Sequence, residues 1–92
     1  LTKSKARLAT MLLGGDGMKD RYHDIYLQIG LNILRCRKER GLTQEQLADR
    51  TGHSRNHIQR VETAYTAPTL ATLLDIAQAL EVPLEKLLEI PK

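Results

Sequence analysis

From about Tyr22 to Arg40 the apolar residues Ile25, Ile29, Ile33 and Cys36 return every three or four positions, the period of an amphipathic helix. Arg35, Lys38, Glu39 and Arg40 fall mainly on its solvent side, and Gly41 follows where a helix end needs a residue tolerant of positive φ. Thr43 then caps a second, short helix. Gln46, three residues on, completes a capping box, and Leu47 and Ala48 point inward. Gly52 permits an abrupt change of direction, and Ser54 caps a third helix with Ile58 and Val61 on its inward face.

Residues 63–68, TAYTAP, read as a loop, because Pro68 disfavours helix at Ala67 and itself suits the start of the next element. A fourth helix runs from about Thr69 to Leu80, with Leu70, Leu73, Leu74, Ala77 and Leu80 as its apolar stripe. Val82 and Pro83 break it, and LEKLLEI makes a last helix ending at Pro91. No segment combines period-two alternation with strand-like flanks, so the predicted class is all-α.

The opening LTKSKARLATMLLGGDG admits three readings. One is a short extra helix capped by Ser4, with Leu8, Met11 and Leu12 on one face and Gly14-Gly15 as its stop. The second is a loose arm. The third begins the natural protein at Met18, with the glycine-rich residues before it being upstream message translated in frame. The expected division is therefore an N-terminal arm, 1–20, and one helical domain, 21–92.

Composition narrows the picture. A chain of 92 residues supports one modest core, and with only Tyr22, Tyr26 and Tyr65 as aromatics that core must be aliphatic. Cys36 has no partner for an internal disulfide; its apolar register favours a small buried side chain over a reactive thiol, and suits a reducing cytoplasm. No apolar run approaches a membrane span, and the first 13 residues lack the apolar block of a secretory signal, so a soluble cytoplasmic protein is expected. Charge is uneven. Residues 1–68 hold 12 Lys/Arg against 7 Asp/Glu, whereas residues 69–92 hold 2 against 4, which points to a polyanionic partner on one side.

The decisive spacing starts at Gln44. Counting it as first, Ala48 is fifth, Gly52 ninth, Ile58 fifteenth and Val61 eighteenth. Two helices crossing steeply through a short turn need a small residue at the contact, a glycine in the turn and apolar anchors on the second helix. Together with LRCRKERGLTQEQLA, the VE at 61 and 62, Pro68 and TLLDIAQALEVPLEKLL from 72 to 88, this resembles the Cro/C1-type helix-turn-helix family, also called the XRE family, of phage and bacterial repressors. The resemblance covers roughly residues 29–88, about two-thirds of the chain. It implies a compact five-helix, lambda-repressor-like DNA-binding domain whose third helix, about 54–63, enters the major groove.

The resemblance also assigns roles. Arg55, Asn56, Gln59 and Arg60 fall where the family reads bases, and their chemistry suits it: Arg bridges guanine O6 and N7, and Asn bridges adenine N6 and N7. Gln44 matches a glutamine that binds backbone phosphate and braces the recognition helix. Thr43 and Ser54, at helix starts with free N–H groups, join it as phosphate candidates, with His57 and Tyr65 as lesser ones. Arg37 and Glu62 match a partly buried structural ion pair, and Arg35, Lys38 and Arg40 offer nonspecific phosphate attraction.

Each role has a plainer rival. A polar face on a short helix is most often simply solvated, and Gln46 is better read as a helix former. His53 and His57, four apart across a cap boundary, have no carboxylate or thiolate near them in sequence, so no metal site is assigned. No cofactor site is assigned either. Nor is an enzyme, for want of a nucleophile-base pair or phosphate loop.

Three positions depart from the family pattern. Ala64 and Glu81 stand where glycine is usual, and His53 replaces an often apolar residue. Holding Ala64 left-handed costs about 1 kcal/mol, so the 63–67 loop is expected to take another path. The implied function is a sequence-specific transcriptional regulator, a repressor binding double-stranded DNA as a homodimer on two half-sites about one helical turn apart. Leu84, Leu87, Leu88 and Ile90 serve either that dimer contact or the monomer core. The alternatives are an antitoxin with a toxin partner, a restriction-system control protein and, in a different class, a protein-interaction module without DNA specificity.

Overall fold

The structure, a computed structural model, describes residues 21–91. The expected N-terminal arm and its candidate helix lie outside the described residues. The chain folds into α1 (His23–Glu39), α2 (Gln44–Thr51), α3 (Arg55–Glu62), α4 (Leu70–Leu80) and α5 (Leu84–Leu87), with no strand among the described residues.

Local chemistry sets the boundaries. α1 ends in a Schellman turn: Leu42 N donates to Arg37 O at 3.1 Å and Gly41 N to Lys38 O at 2.9 Å, with Gly41 at φ +70°. The capping box at α2 is closed from both sides, with Gln46 N donating to Thr43 Oγ1 at 3.0 Å and Thr43 N to Gln46 Oε1 at 2.9 Å. Gly52 at φ +79° ends α2 after eight residues, and the Ser54 hydroxyl accepts from His57 N at 3.0 Å to start α3. Thr69 caps α4 in the same way, accepting from Thr72 N at 3.1 Å.

α1 lies against α3, α4 and α5, while α2 packs between α3 and α4. Their shared core is aliphatic: Ile29, Ile33 and Cys36 from α1, Leu47 and Ala48 from α2, Ile58 and Val61 from α3, Leu73, Ile76, Ala77 and Leu80 from α4, and Leu87 from α5. Burying the larger of these side chains stabilises the domain by about 1.5–3 kcal/mol each. Ile25, expected on the inner stripe, is instead 37 % exposed at the first turn of α1.

Other expectations need correction. The buried stripe of α4 is Leu73, Ile76, Ala77 and Leu80; Leu70 and Leu74 are 61 % and 48 % exposed. The last helix is one turn, not the whole of LEKLLEI. Of its apolar residues Leu87 is fully buried, Leu84 packs at the core edge, and Leu88 and Ile90 face solvent. Ala64 does take the left-handed conformation, at φ +62°, and Glu81 does so at +59°. Both turns are held by Schellman bonds: Tyr65 N to Arg60 O at 2.8 Å after α3, and Val82 N to Ala77 O at 3.0 Å after α4. These bonds satisfy carbonyls that the helix ends would otherwise leave open, which offsets the side-chain strain.

Candidate nucleic-acid interface

The polar residues of α2 and α3 are placed by a buried ionic network. Arg37 is bidentate to Glu62, with Nε donating to Oε2 at 2.7 Å and Nη2 to Oε1 at 3.1 Å. The side chains are only 9 % and 3 % exposed, and the third arm, Nη1, donates to Leu42 O at 2.8 Å. Gln44 Nε2 adds a bond to Glu62 Oε1 at 3.0 Å. One carboxylate at the end of α3 therefore receives the end of α1 and the start of α2. A buried pair is a poor source of stability by itself, but with every arm satisfied it sets geometry. Gln44, matched by resemblance to a phosphate-binding and bracing residue, has its carboxamide nitrogen on the recognition helix.

Two closures that periodicity did not reveal support this frame. Gly30 in α1 lies directly under the end of α3: a Cβ there would stand 2.8 Å from Glu62 C and from Val61 O, and closer still to Glu62 O. A glycine inside a helix costs about 1 kcal/mol against alanine, and that cost is the signal that a backbone passes close by. Asn32, 5 % exposed on the buried side of α1, donates from Nδ2 to Leu87 O at 2.9 Å and Glu89 O at 2.8 Å, and accepts from Gln28 Nε2 at 2.9 Å. A polar residue inside an apolar stripe must find such partners, and that was its signature.

On this frame the candidate DNA residues separate into two groups. Arg55 shares a polar cleft with Thr43, Gln44, Glu45 and Lys38, at the start of α2. Asn56, Gln59 and Arg60 line a second notch with Thr63 and Tyr65, where the Arg60 guanidinium lies over the Tyr65 ring at 5.5 Å from its centroid. All four base-reading candidates, Arg55, Asn56, Gln59 and Arg60, are exposed, as are Thr43 and Ser54. Arg55 and Arg60, five residues apart, point about 140° from one another on a 3.6-residue turn, so they flank the face rather than share it.

His57 is half-buried, its ring 5.1 Å from that of His53. His53 Nε2 is 3.0 Å from Asp75 Oδ2, so a polar contact ties the turn to α4 at a position that is often apolar in the family pattern. Among the described residues no three His, Cys, Asp or Glu side chains converge as metal ligands would. No described helix is long and apolar enough to cross a membrane. Arg40 extends the other way, its Nη2 donating to Glu81 O at 3.2 Å and its Nη1 lying 3.5 Å from Glu81 Oε1, which pins the left-handed turn after α4.

Comparison with known proteins places the same segment in context. A family model described as helix-turn-helix matches residues 33–87. The HTH-type transcriptional regulator y4dJ of Sinorhizobium fredii is 41 % identical over 59 residues, covering 64 % of this chain and 77 % of that protein. YqaE of Bacillus subtilis, also an HTH-type transcriptional regulator, is 36 % identical over 63 % of this chain and 50 % of its own length. The immunity repressor protein of Bacillus phage phi105 is 39 % identical over 61 % of this chain and 39 % of its own length. The chain thus spans most of the first relative but half or less of the other two. Among solved structures, the restriction-modification controller protein C.AhdI from Aeromonas hydrophila matches with a TM-score of 0.66 and 29 % identity, over 67 % of this chain and 94 % of that one.

Proposed function

The chain belongs to the Cro/C1-type helix-turn-helix family of DNA-binding transcriptional regulators, and from that premise we propose that it is a cytoplasmic homodimeric repressor, with α3 read into the major groove. The observation that carries this reading is the exposure of Arg55, Asn56, Gln59 and Arg60 on a helix whose other face is locked by Ile58, Val61 and Glu62. Arg55, Asn56, Gln59 and Arg60 contact base edges. Thr43, Gln44, Ser54, His57 and Tyr65 contact phosphate and fix the register.

One short helix reads few base pairs, so the operator carries two half-sites about one helical turn apart and the protein binds as a dimer. The exposed Leu88 and Ile90, beside the buried Leu87, supply apolar surface for that contact. The chemistry is binding rather than catalysis. A second reading, a controller of a restriction system, is favoured by one observation: the likeness to C.AhdI spans 94 % of that protein.

Selection of bound sequences from random DNA, repeated with Arg55→Ala and Arg60→Ala, tests the proposal. Each substitution is expected to cost about 1–3 kcal/mol at particular base pairs. Enrichment of no sequence by the wild-type protein refutes it.

A further inference from the structure

We propose that Tyr65 is a positioning residue for DNA reading, which acts by holding the Arg60 guanidinium on its ring. The inference rests on the reading of Arg60 as a base contact. Tyr65 is 78 % exposed, far more than packing would leave, yet its backbone is held. Ala64 at φ +62° turns the chain back, Tyr65 N donates to Arg60 O at 2.8 Å, and Thr66 N donates to the same oxygen at 3.2 Å. The residue that presents the ring and the residue it covers are thus joined through one carbonyl. The left-handed turn at Ala64 brings the ring under the guanidinium, 5.5 Å from its centroid.

The consequence is for Arg60. Among the described residues its guanidinium has no carboxylate partner: the nearest acid in sequence, Glu62, is committed to Arg37 and Gln44. An arginine left free in water has many rotamers to lose on binding, whereas one stacked on a ring face keeps its edge N–H donors outward and has fewer to lose. Here the guanidinium, over the ring, lies in the notch it shares with Asn56, one turn earlier on the same face, and Gln59. The ligand suited to this edge is the pair of acceptors O6 and N7 of a guanine.

The test is a set of parallel binding selections with the full chain: wild type, Arg60→Ala, Tyr65→Phe and Tyr65→Ala. Arg60→Ala identifies the base pair that Arg60 reads. Tyr65→Ala is expected to weaken discrimination at that same base pair by roughly two- to five-fold, the strength of an exposed cation–π contact. Tyr65→Phe, which keeps the ring, is expected to retain it. Two results overturn the inference while leaving the repressor reading intact: undiminished discrimination at that base pair in Tyr65→Ala, or a discrimination loss as large in Tyr65→Phe as in Tyr65→Ala, which would assign the effect to the hydroxyl and its phosphate contact rather than to the ring. Failure of the wild type to enrich any sequence instead removes the reading on which the inference stands.

Discussion

Replacing Gly30 by alanine sets two effects against each other. Intrinsic helix propensity favours alanine by about 1 kcal/mol, so reasoning from the helix alone predicts a more stable protein. The packing predicts the opposite. The new Cβ would meet Glu62 C and Val61 O at 2.8 Å, with Glu62 O nearer still, where ordinary contacts lie at 3.4–4 Å. The obstructing atoms are backbone, so no rotamer change relieves them; α3 must move from α1, and with it the carboxylate that Arg37 and Gln44 hold. Overpacking of this kind costs about 1–3 kcal/mol, and an unyielding backbone places it at the upper end. Subtracting the propensity gain leaves a net loss of about 2 kcal/mol, or a fall in melting temperature of roughly 10 °C for a domain of this size.

The assay is thermal and urea denaturation followed by far-ultraviolet circular dichroism, with Gly41→Ala as control. Gly41 has φ +70°, and a Cβ added to it would meet no heavy atom within 4 Å, so its substitution costs only the backbone term, about 1 kcal/mol. Gly30→Ala should also lower DNA affinity, because it shifts the reading helix. A Gly30→Ala protein as stable as wild type, or more so, refutes the close approach of α1 to the end of α3.

Four further outcomes are expected. Glu62→Ala should lose about 3 kcal/mol in urea denaturation, since it leaves the Arg37 charge buried without its partner; a loss under about 1 kcal/mol would show the pair to be dispensable. Asn32→Ala should cost about 1–3 kcal/mol and speed amide exchange around Leu87 to Ile90, whose carbonyl anchors it removes. Glu81→Gly should stabilise by about 1 kcal/mol by relieving the left-handed turn, the exposed contact with Arg40 contributing only a few tenths. Burial, then the nearby Glu39, push the Cys36 thiol above its ordinary value. The folded state therefore holds that proton more tightly than the unfolded one, and stability should fall as pH rises past the ordinary thiol range, a fall absent in Cys36→Ala.

What was legible in the sequence was chiefly local. The capping box of Thr43 and Gln46, the Ser54 cap and the turns at Gly41 and Gly52 depend on residues within one helical turn, and each stands where the pattern put it. The inward face of α4 was not legible, because LATLLDIAQAL carries two overlapping apolar stripes. Helix periodicity fits Leu70, Leu73, Leu74 and Ala77 as well as Leu73, Ile76, Ala77 and Leu80; packing against α1, α2 and α5 chooses the second. The path after α3 departs from expectation for a related reason. A strain of about 1 kcal/mol at Ala64 looks prohibitive locally, yet it is small beside the Schellman bonds and the buried Ala64 methyl that the turn secures. At the site, residue types named the candidates, but only the fold separates Arg55, beside the start of α2, from Arg60, on the ring of Tyr65.

That separation bears on how stability and recognition are coupled. Gly30, Arg37, Gln44 and Glu62 all act on the junction of α1, α2 and α3: Gly30 lets the helices approach, and the other three bind them together. A rigid junction means that α3, which carries Arg55 and the Asn56–Arg60 notch, is already fixed against α1 and the start of α2 before DNA arrives, so little binding energy is lost in ordering the surface. Substitutions at the junction should therefore weaken binding to all sequences while leaving base preference intact, whereas substitutions in the notch should alter preference and leave stability alone. The two classes are separable in one experiment, because melting temperature and selected sequence respond to different residues of the same helix: Glu62 on its buried side, Arg60 on its exposed side.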